Sequence, residues 1–187
     1  MDFPKLFCLP MQAKMQKAEM IIPLTPVRFL EYAEKIFKDK EGVVCEGERF
    51  TYGEFCRRTR KVSNGLKSLD IQKGDRVAYL GYNCHRLLEL FYAPPLIGAI
   101  LEPLNIRLAA RDFEYIIRES APRELFLDKD FFPVIDSIRA KIPSVKHFLA
   151  LGKNPGLQIQ IFQRLYQIGP MKKCRVRSAN APVVVKN

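Results

Sequence analysis

The chain has 187 residues and a mass of 21.6 kDa, enough for one ordinary domain and cramped for two. Hydrophobic residues at 48% and charged residues at 27% match a globular average, which excludes wholesale disorder, collagen-like repetition and a mucin-like stalk. The net charge of +11 is unevenly placed: residues 1–150 hold 24 basic and 20 acidic side chains, whereas the last 37 residues hold seven basic ones and no acid.

Cysteines stand at 8, 45, 56, 84 and 174 with no C-x-x-C pair, so a disulfide framework or zinc knuckle is not expected and the thiols read as small buried hydrophobes. The longest uncharged apolar stretch, Leu90 to Leu101, is twelve residues and contains Pro94 and Pro95, short of the roughly 20 residues a membrane span requires. At the N-terminus, Pro4, Lys5, Pro10 and Lys14 break any signal-peptide centre, so a cytoplasmic protein is expected.

In chain order, Thr25 and Pro26 open a helix carrying Phe29, Leu30, Ala33, Ile36 and Phe37 to about Lys38. Val43–Cys45 and Arg49–Thr51 read as a hairpin around Glu46-Gly47-Glu48. Thr51 and Glu54 form a capping box for a second helix, whose apolar stripe is Phe55, Thr59, Val62, Leu66 and Leu69 and whose outer face holds Arg57, Arg58, Arg60 and Lys61. Arg76–Leu80 is a buried strand. A helix from Cys84 to about Ala93 bears Leu87, Leu88 and Phe91 and ends at Pro94-Pro95 before an extended Ile100–Leu104. Asp112–Ser120 is helical, Leu125–Leu127 a strand, Asp130 the cap of a helix through Ile138, and His147–Leu151 the last strand. Helices alternating with short apolar strands predict an α/β fold with a largely parallel sheet and flanking helices. From Lys153 neither period is clean, and an irregular C-terminal tail is expected.

None of the ten glycines falls into G-x-G-x-x-G or G-x-x-x-x-G-K-[ST], so independent nucleotide binding on such a loop is not expected. The two histidines, His85 and His147, lie 62 residues apart without a motif around them, and carboxylates are not clustered. Neither a catalytic triad nor a metal site has a template here, and no catalytic residue is assigned. The run Arg57 to Lys61 could bind a polyanion, but it lies opposite an apolar stripe, where solvated charge is the ordinary occupant, and no aromatics interleave it.

Four stretches, in order, resemble the opening of the adenylate-forming acyl-CoA synthetases, the AMP-binding superfamily that includes fatty-acid CoA ligases. They are Leu24-Thr25-Pro26-Val27-Arg28-Phe29-Leu30-Glu31, Gly47-Glu48-Arg49-Phe50-Thr51-Tyr52-Gly53-Glu54-Phe55, Gly74-Asp75-Arg76-Val77-Ala78, and Gly98 to Leu108, which is similar to G-A-x-x-x-P-L-N-x-R-L, with Leu125–Asp128 next as a strand. The resemblance implies an extension at 1–19 expected to be disordered, a partial N-terminal ligase domain over 20–152 with Met20 a natural beginning, and a basic non-family tail at 153–187. It implies intact relatives that use ATP, Mg²⁺ and coenzyme A to activate fatty or other carboxylic acids. The Ser/Thr/Gly-rich phosphate loop and the C-terminal lysine of such enzymes have no counterpart in these 187 residues. A truncated chain with no cofactor of its own, inactive alone, is therefore the expectation. Some family members set the arginine of N-x-R-L against coenzyme A phosphates, which falls on Arg107; the ordinary alternative is that Arg107 pairs with a carboxylate or with solvent. Two further readings stay open: a small basic protein binding nucleic acid or an anionic surface, and one subunit of a split ligase paired with its remainder.

Overall fold

The computed structural model describes residues 24–151 and 160–161; the extension at 1–19 and most of the basic tail lie outside the described residues. Helix α1 (Pro26–Phe37) starts with Pro26 at a position that needs no amide donor. The hairpin of β1 (Glu41–Cys45) and β2 (Glu48–Thr51) turns through Glu46 and Gly47 alone, both with positive φ (50° and 86°). That is the mirror-image turn whose twist matches antiparallel strands. Helix α2 (Tyr52–Ser68) carries the expected capping box: the Glu54 amide donates to Thr51 Oγ1 at 3.2 Å and the Thr51 amide to Glu54 Oε2 at 2.9 Å.

The main sheet contains β3 (Arg76–Leu80), β4 (Ile100–Pro103), β5 (Glu124–Leu127), β6 (His147–Ala150) and β7 (Gln160–Ile161), all parallel, in the order β4-β3-β5-β6-β7. The connecting helices are α3 (His85–Tyr92), α4 (Ala110–Ser120) and α5 (Phe132–Ile138). Because β4 lies on one side of β3 and β5 on the other, crossovers of one hand must place α3 and α4 on opposite faces. Accordingly, Val77, Tyr79, Phe126 and Leu149 meet α2 and α3 through Val62, Leu66, Leu87 and Leu90, whereas Ala78, Leu80, Leu125 and Leu127 meet α4 and α5 through Phe113, Ile117, Ile135 and Ile138. Both faces of the central strands are buried, which is why they read as continuous apolar runs. A third cluster, Leu30, Val43, Phe55 and Cys56, binds α1 and the hairpin to the outside of α2.

Pro103 is tolerated because β4 is an edge strand. The amides of Ile100 and Leu104 donate to Asp75 and Tyr79 on the β3 side, so by alternation the Pro103 nitrogen faces the open edge, where it removes a donor that could recruit another strand.

Several details differ from the sequence reading. Within the expected irregular tail, Gln160–Ile161 pairs in parallel with Leu149–Ala150, a pairing supplied by the exposed ladder of β6 and invisible to local periodicity. On α1, Val27 and Leu30 are buried while Phe29 and Ile36 are each 56% exposed; on α3, Leu90 is buried while Leu88 and Phe91 are exposed. Helix α4 begins two residues early, because Ala110 and Arg111 are good helix formers and Asp112 reaches back to the Ala109 amide (3.1 Å) from the third position. Asp128, not Asp130, opens the turn into α5 by accepting from the Lys129 amide at 2.7 Å. Among the described residues no helix is long and apolar enough to cross a membrane.

Candidate functional site at the carboxyl edge of the sheet

In a doubly wound sheet ligands favour the carboxyl ends of the strands, where neighbouring connections diverge to opposite faces. Here that point lies between β3 and β5. The loop after β3 is drawn tight: a Cβ at Gly81 would stand 2.9 Å from Tyr79 Oη and 3.3 Å from Asp128 Cβ, so only glycine fits. Tyr79, 1% exposed, runs through the core to this edge, donates its hydroxyl to the Tyr82 carbonyl at 2.6 Å and sits 3.6 Å from Cys84 Sγ. Burial and the neighbouring thiol push the Tyr79 hydroxyl far up, so it remains a protonated donor that staples the loop. Beside it, Tyr82 and Phe131 form a tilted ring pair 5.6 Å apart. Partial desolvation and the hydrogen-bonded Asp130 carboxylate raise the Tyr82 phenol.

Arg107 lies on the same edge, in the loop after β4. Its amide donates to Asn105 Oδ1 at 3.0 Å, an Asx turn that sets the loop, and its side chain is exposed. Among the described residues no carboxylate lies within ion-pair distance of its guanidinium, which faces solvent.

His85, the first residue of α3, follows directly on the loop after β3, whereas His147 lies at the other end of the strands. His85 Nδ1 is buried without a partner, its ring lies 5.4 Å from that of Phe50, and burial, then the Arg86 and Arg58 charges, hold the imidazole below its usual range. His147 Nδ1 lies 2.7 Å from Glu124 Oε1 near the opposite, amino ends of β6 and β5. Glu124 is fully buried and desolvation pushes its carboxyl up to about 6, partly offset by His147. No three His, Cys, Asp or Glu side chains converge as a metal site among the described residues. The loop after β5, at the switch point, carries Asp128 and Asp130 on either side of Lys129, and the two carboxylates oppose an anion there.

Two cations of the Arg57–Lys61 face, Arg58 and Arg60, are engaged inside the molecule. Arg58 Nε bonds the fully buried Glu89 at 2.6 Å, with its guanidinium 4.4 Å from the Phe50 ring centre, and Arg60 pairs bidentately with Glu34. The Arg60 interaction holds the Glu34 carboxyl below the usual carboxylate range. Two of the four cations thus serve to join α2 to α3 and α1, which removes the continuous cationic run a polyanion would need. Among the described cysteines, Cys45, Cys56 and Cys84 are free thiols.

The sequence reading named Arg107 only through resemblance and assigned it no edge of the sheet. It missed Tyr79, Tyr82, Asp130 and Phe131, whose convergence depends on which strands are neighbours; the available signal was their position just at or beyond the ends of apolar strands.

Residues 30–176 match the family model described as AMP-binding enzyme. A "Long-chain-fatty-acid--CoA ligase" of Thermus thermophilus is 37% identical over 127 residues, 66% of this chain and 24% of that protein. A "Butyrate--CoA ligase AAE11, peroxisomal" of Arabidopsis thaliana is 32% identical over 66% of this chain and 22% of that protein. Among solved structures, the anthranilate CoA ligase AuaEII in complex with anthranoyl-AMP superposes with a TM-score of 0.78 at 24% identity, covering 88% of this chain and 31% of that one; at that identity the likeness bears on the fold alone. The chain spans about a fifth to a quarter of the length of the curated relatives it matches. The family match runs past residue 152, in keeping with the pairing of β7 beyond it. With the family match spanning most of its length and the parallel sheet shared with ligase N-terminal regions, this chain belongs to the AMP-binding enzyme family.

Proposed function

We propose that these residues form the N-terminal part of an ATP-dependent carboxylate–CoA ligase, acting on a fatty or other carboxylic acid through an acyl-adenylate, and that the 187-residue chain does not complete this reaction alone. The observation that supports the reading is the family match over residues 30–176 together with relatives named as acyl–CoA ligases. The dependence on further polypeptide is supported by the share of those relatives that the chain spans, about a quarter, and by the absence of a phosphate cradle among the described residues. ATP with Mg²⁺ would supply the adenylyl group, with pyrophosphate as the leaving group; what this segment contributes is the stapled carboxyl edge around Gly81, Tyr79 and Asn105.

Arg107 is assigned the contact with a phosphate of coenzyme A. Its exposed guanidinium, held on a set loop at the ligand-binding edge, is the support for this role.

The test has two arms. The purified chain, given ATP, Mg²⁺, coenzyme A and a panel of carboxylic acids, is expected to release no pyrophosphate, and acid-dependent release would overturn the dependence on further polypeptide. A chimera in which residues 24–151 replace the matching segment of the Thermus ligase is expected to release pyrophosphate, and a folded but inert chimera would overturn the ligase reading. In the active chimera, Arg107→Ala is expected to raise KM for coenzyme A while leaving adenylation nearly unchanged; equal loss in both half-reactions would mean that Arg107 supports the fold.

A further inference from the structure

The five residues that follow β4 alternate between core and solvent. Leu104 is buried in the α4/α5 core and Ile106 and Leu108 pack against it, whereas Asn105 and Arg107 are exposed. The segment is also tied through its backbone. The Leu104 amide donates to the Tyr79 carbonyl at 2.8 Å, the Leu108 amide to the Asn105 carbonyl at 3.3 Å, and the Ala109 amide to Asp112 Oδ2 at 3.1 Å where α4 begins. Inside this frame the Arg107 amide donates to Asn105 Oδ1 at 3.0 Å. A side-chain carbonyl two residues back thus fixes the backbone from which Arg107 projects. Nothing at the guanidinium does so: among the described residues it meets no carboxylate, and it faces solvent. The conformation of Arg107 is therefore governed from its backbone end.

We infer that Asn105 is a positioning residue, which holds the turn at 105–108 so that the Arg107 guanidinium is presented in one arrangement to a phosphate of coenzyme A. The inference rests on the assignment of Arg107 above and concerns what makes that contact effective. An arginine on a loose loop binds a phosphate only in the fraction of molecules whose loop has the competent shape, and the apparent affinity falls in proportion to that fraction. Burial of Leu104, Ile106 and Leu108 fixes the path of the chain, but alternation alone leaves the peptide planes around Arg107 free to turn. The Asn105 acceptor removes that freedom before the ligand arrives, so less ordering is left for binding to offset. The residue type suits the task. Asparagine supplies the acceptor of an Asx turn without a charge, whereas aspartate in the same place would set a carboxylate beside the phosphate that Arg107 receives.

The test pairs amide exchange in the isolated chain with kinetics in the Thermus chimera. In the isolated 187-residue chain, Asn105→Ala is expected to speed deuterium exchange of the Arg107 amide about tenfold while keeping the melting temperature within about 2 °C of the parent. Asn105→Asp, which keeps the acceptor, is expected to restore slow exchange. In the chimera, Asn105→Ala is expected to raise KM for coenzyme A about three- to tenfold, with kcat at saturating coenzyme A within about twofold of the parent. Combined with Arg107→Ala, it is expected to add nothing to the effect of Arg107→Ala, because the two act as one unit. A folded but inert parent chimera, or an Arg107→Ala chimera with unchanged KM for coenzyme A, would overturn the reading beneath this inference and the inference with it. A raised KM in Arg107→Ala with an unchanged one in Asn105→Ala would overturn this inference alone, as would unchanged exchange of the Arg107 amide. A melting temperature lowered by about 5 °C or more in the isolated Asn105→Ala chain would overturn it by showing a structural role. A double variant clearly worse than Arg107→Ala would overturn it by showing that Asn105 touches coenzyme A itself.

Discussion

The α4/α5 layer and the α1/α2/α3 layer cover opposite faces of one sheet, with inner surfaces of the same kind and outer surfaces of different kinds. Inward, Phe113 and Ile117 on one side correspond to Val62 and Leu66 on the other, all at most 1% exposed. Outward, α4 shows ion pairs, Glu114 meeting both Lys141 at 3.0 Å and Arg118 at 3.7 Å, whereas α1 and α3 show Phe29, Tyr32, Ile36 and Phe91. The difference teaches that inner packing and outer chemistry are set separately. Burial against the sheet demands an apolar stripe on every helix, while the outer stripe reflects what, if anything, lies beyond it.

The comparison is broken most sharply in the inner layers. Leu66→Ala and Ile117→Ala are each expected to destabilise the chain by about 2 to 5 kcal/mol in denaturant unfolding; a much smaller loss at Leu66 would mean that the α2/α3 layer is loosely held. Arg58→Ala, which leaves the fully buried Glu89 carboxylate without this partner, is expected to cost about 3 kcal/mol, and Arg58→Ala combined with Glu89→Leu should recover much of that loss. Arg60→Ala on the same helix, whose pair with Glu34 is only partly buried, should cost about 1 kcal/mol or less. A larger cost at Arg60 than at Arg58 would reverse the assignment of which pair joins the layers.

A pH series sharpens the picture at the sheet's amino edge. Glu124 has its folded-state pKa raised from 4.5 to about 6, so the folded protein binds this proton more tightly than the unfolded chain. Its favourable contribution is therefore full below about pH 4.5 and is lost as pH rises through 6, amounting to roughly 2 kcal/mol of relative destabilisation above that range. The stability difference between the parent and Glu124→Gln should shift in that sense between pH 4.5 and 6.5; a flat difference would refute the raised pKa. Among the thiols, Cys56 is fully buried and desolvation pushes it up to about 11, so Cys45 and Cys84 should react first with a maleimide under native conditions. Smallest and of opposite sign, Ala121→Gly should stabilise the chain by up to about 1 kcal/mol, because Ala121 ends α4 with a φ of 47° that glycine adopts without strain.

Much of the fold was legible where the signal was local. The capping box of Thr51 and Glu54 and the strand Arg76–Leu80 each depend on residues a few positions apart and form as expected, and the hairpin forms with a shorter turn than expected, Glu48 pairing with Cys45 as part of β2. Misassignments arose where a neighbour distant in sequence chose between two acceptable stripes. On α3, Leu87 and Leu88 are equally apolar; the position of α2 decided that Leu87 and Leu90 face inward. Of the candidate site, only Arg107 was named, because its motif is contiguous, while Tyr82 and Phe131 meet across 49 residues and depend on β3 lying beside β5.

By itself, then, the sequence determined the element types, most of their boundaries, the buried character of the central strands and the family resemblance. All of these are written in short-range spacing, where caps, turns and periodicity act over one or two turns of backbone. Tertiary structure decided the strand order, the burial of Glu89 and Glu124 against Arg58 and His147, the addition of β7 to the sheet, and which face of α1 and α3 was left uncovered. Those outcomes depend on which surfaces meet, and a hydrophobic side chain has the same preference for leaving water whichever neighbour receives it.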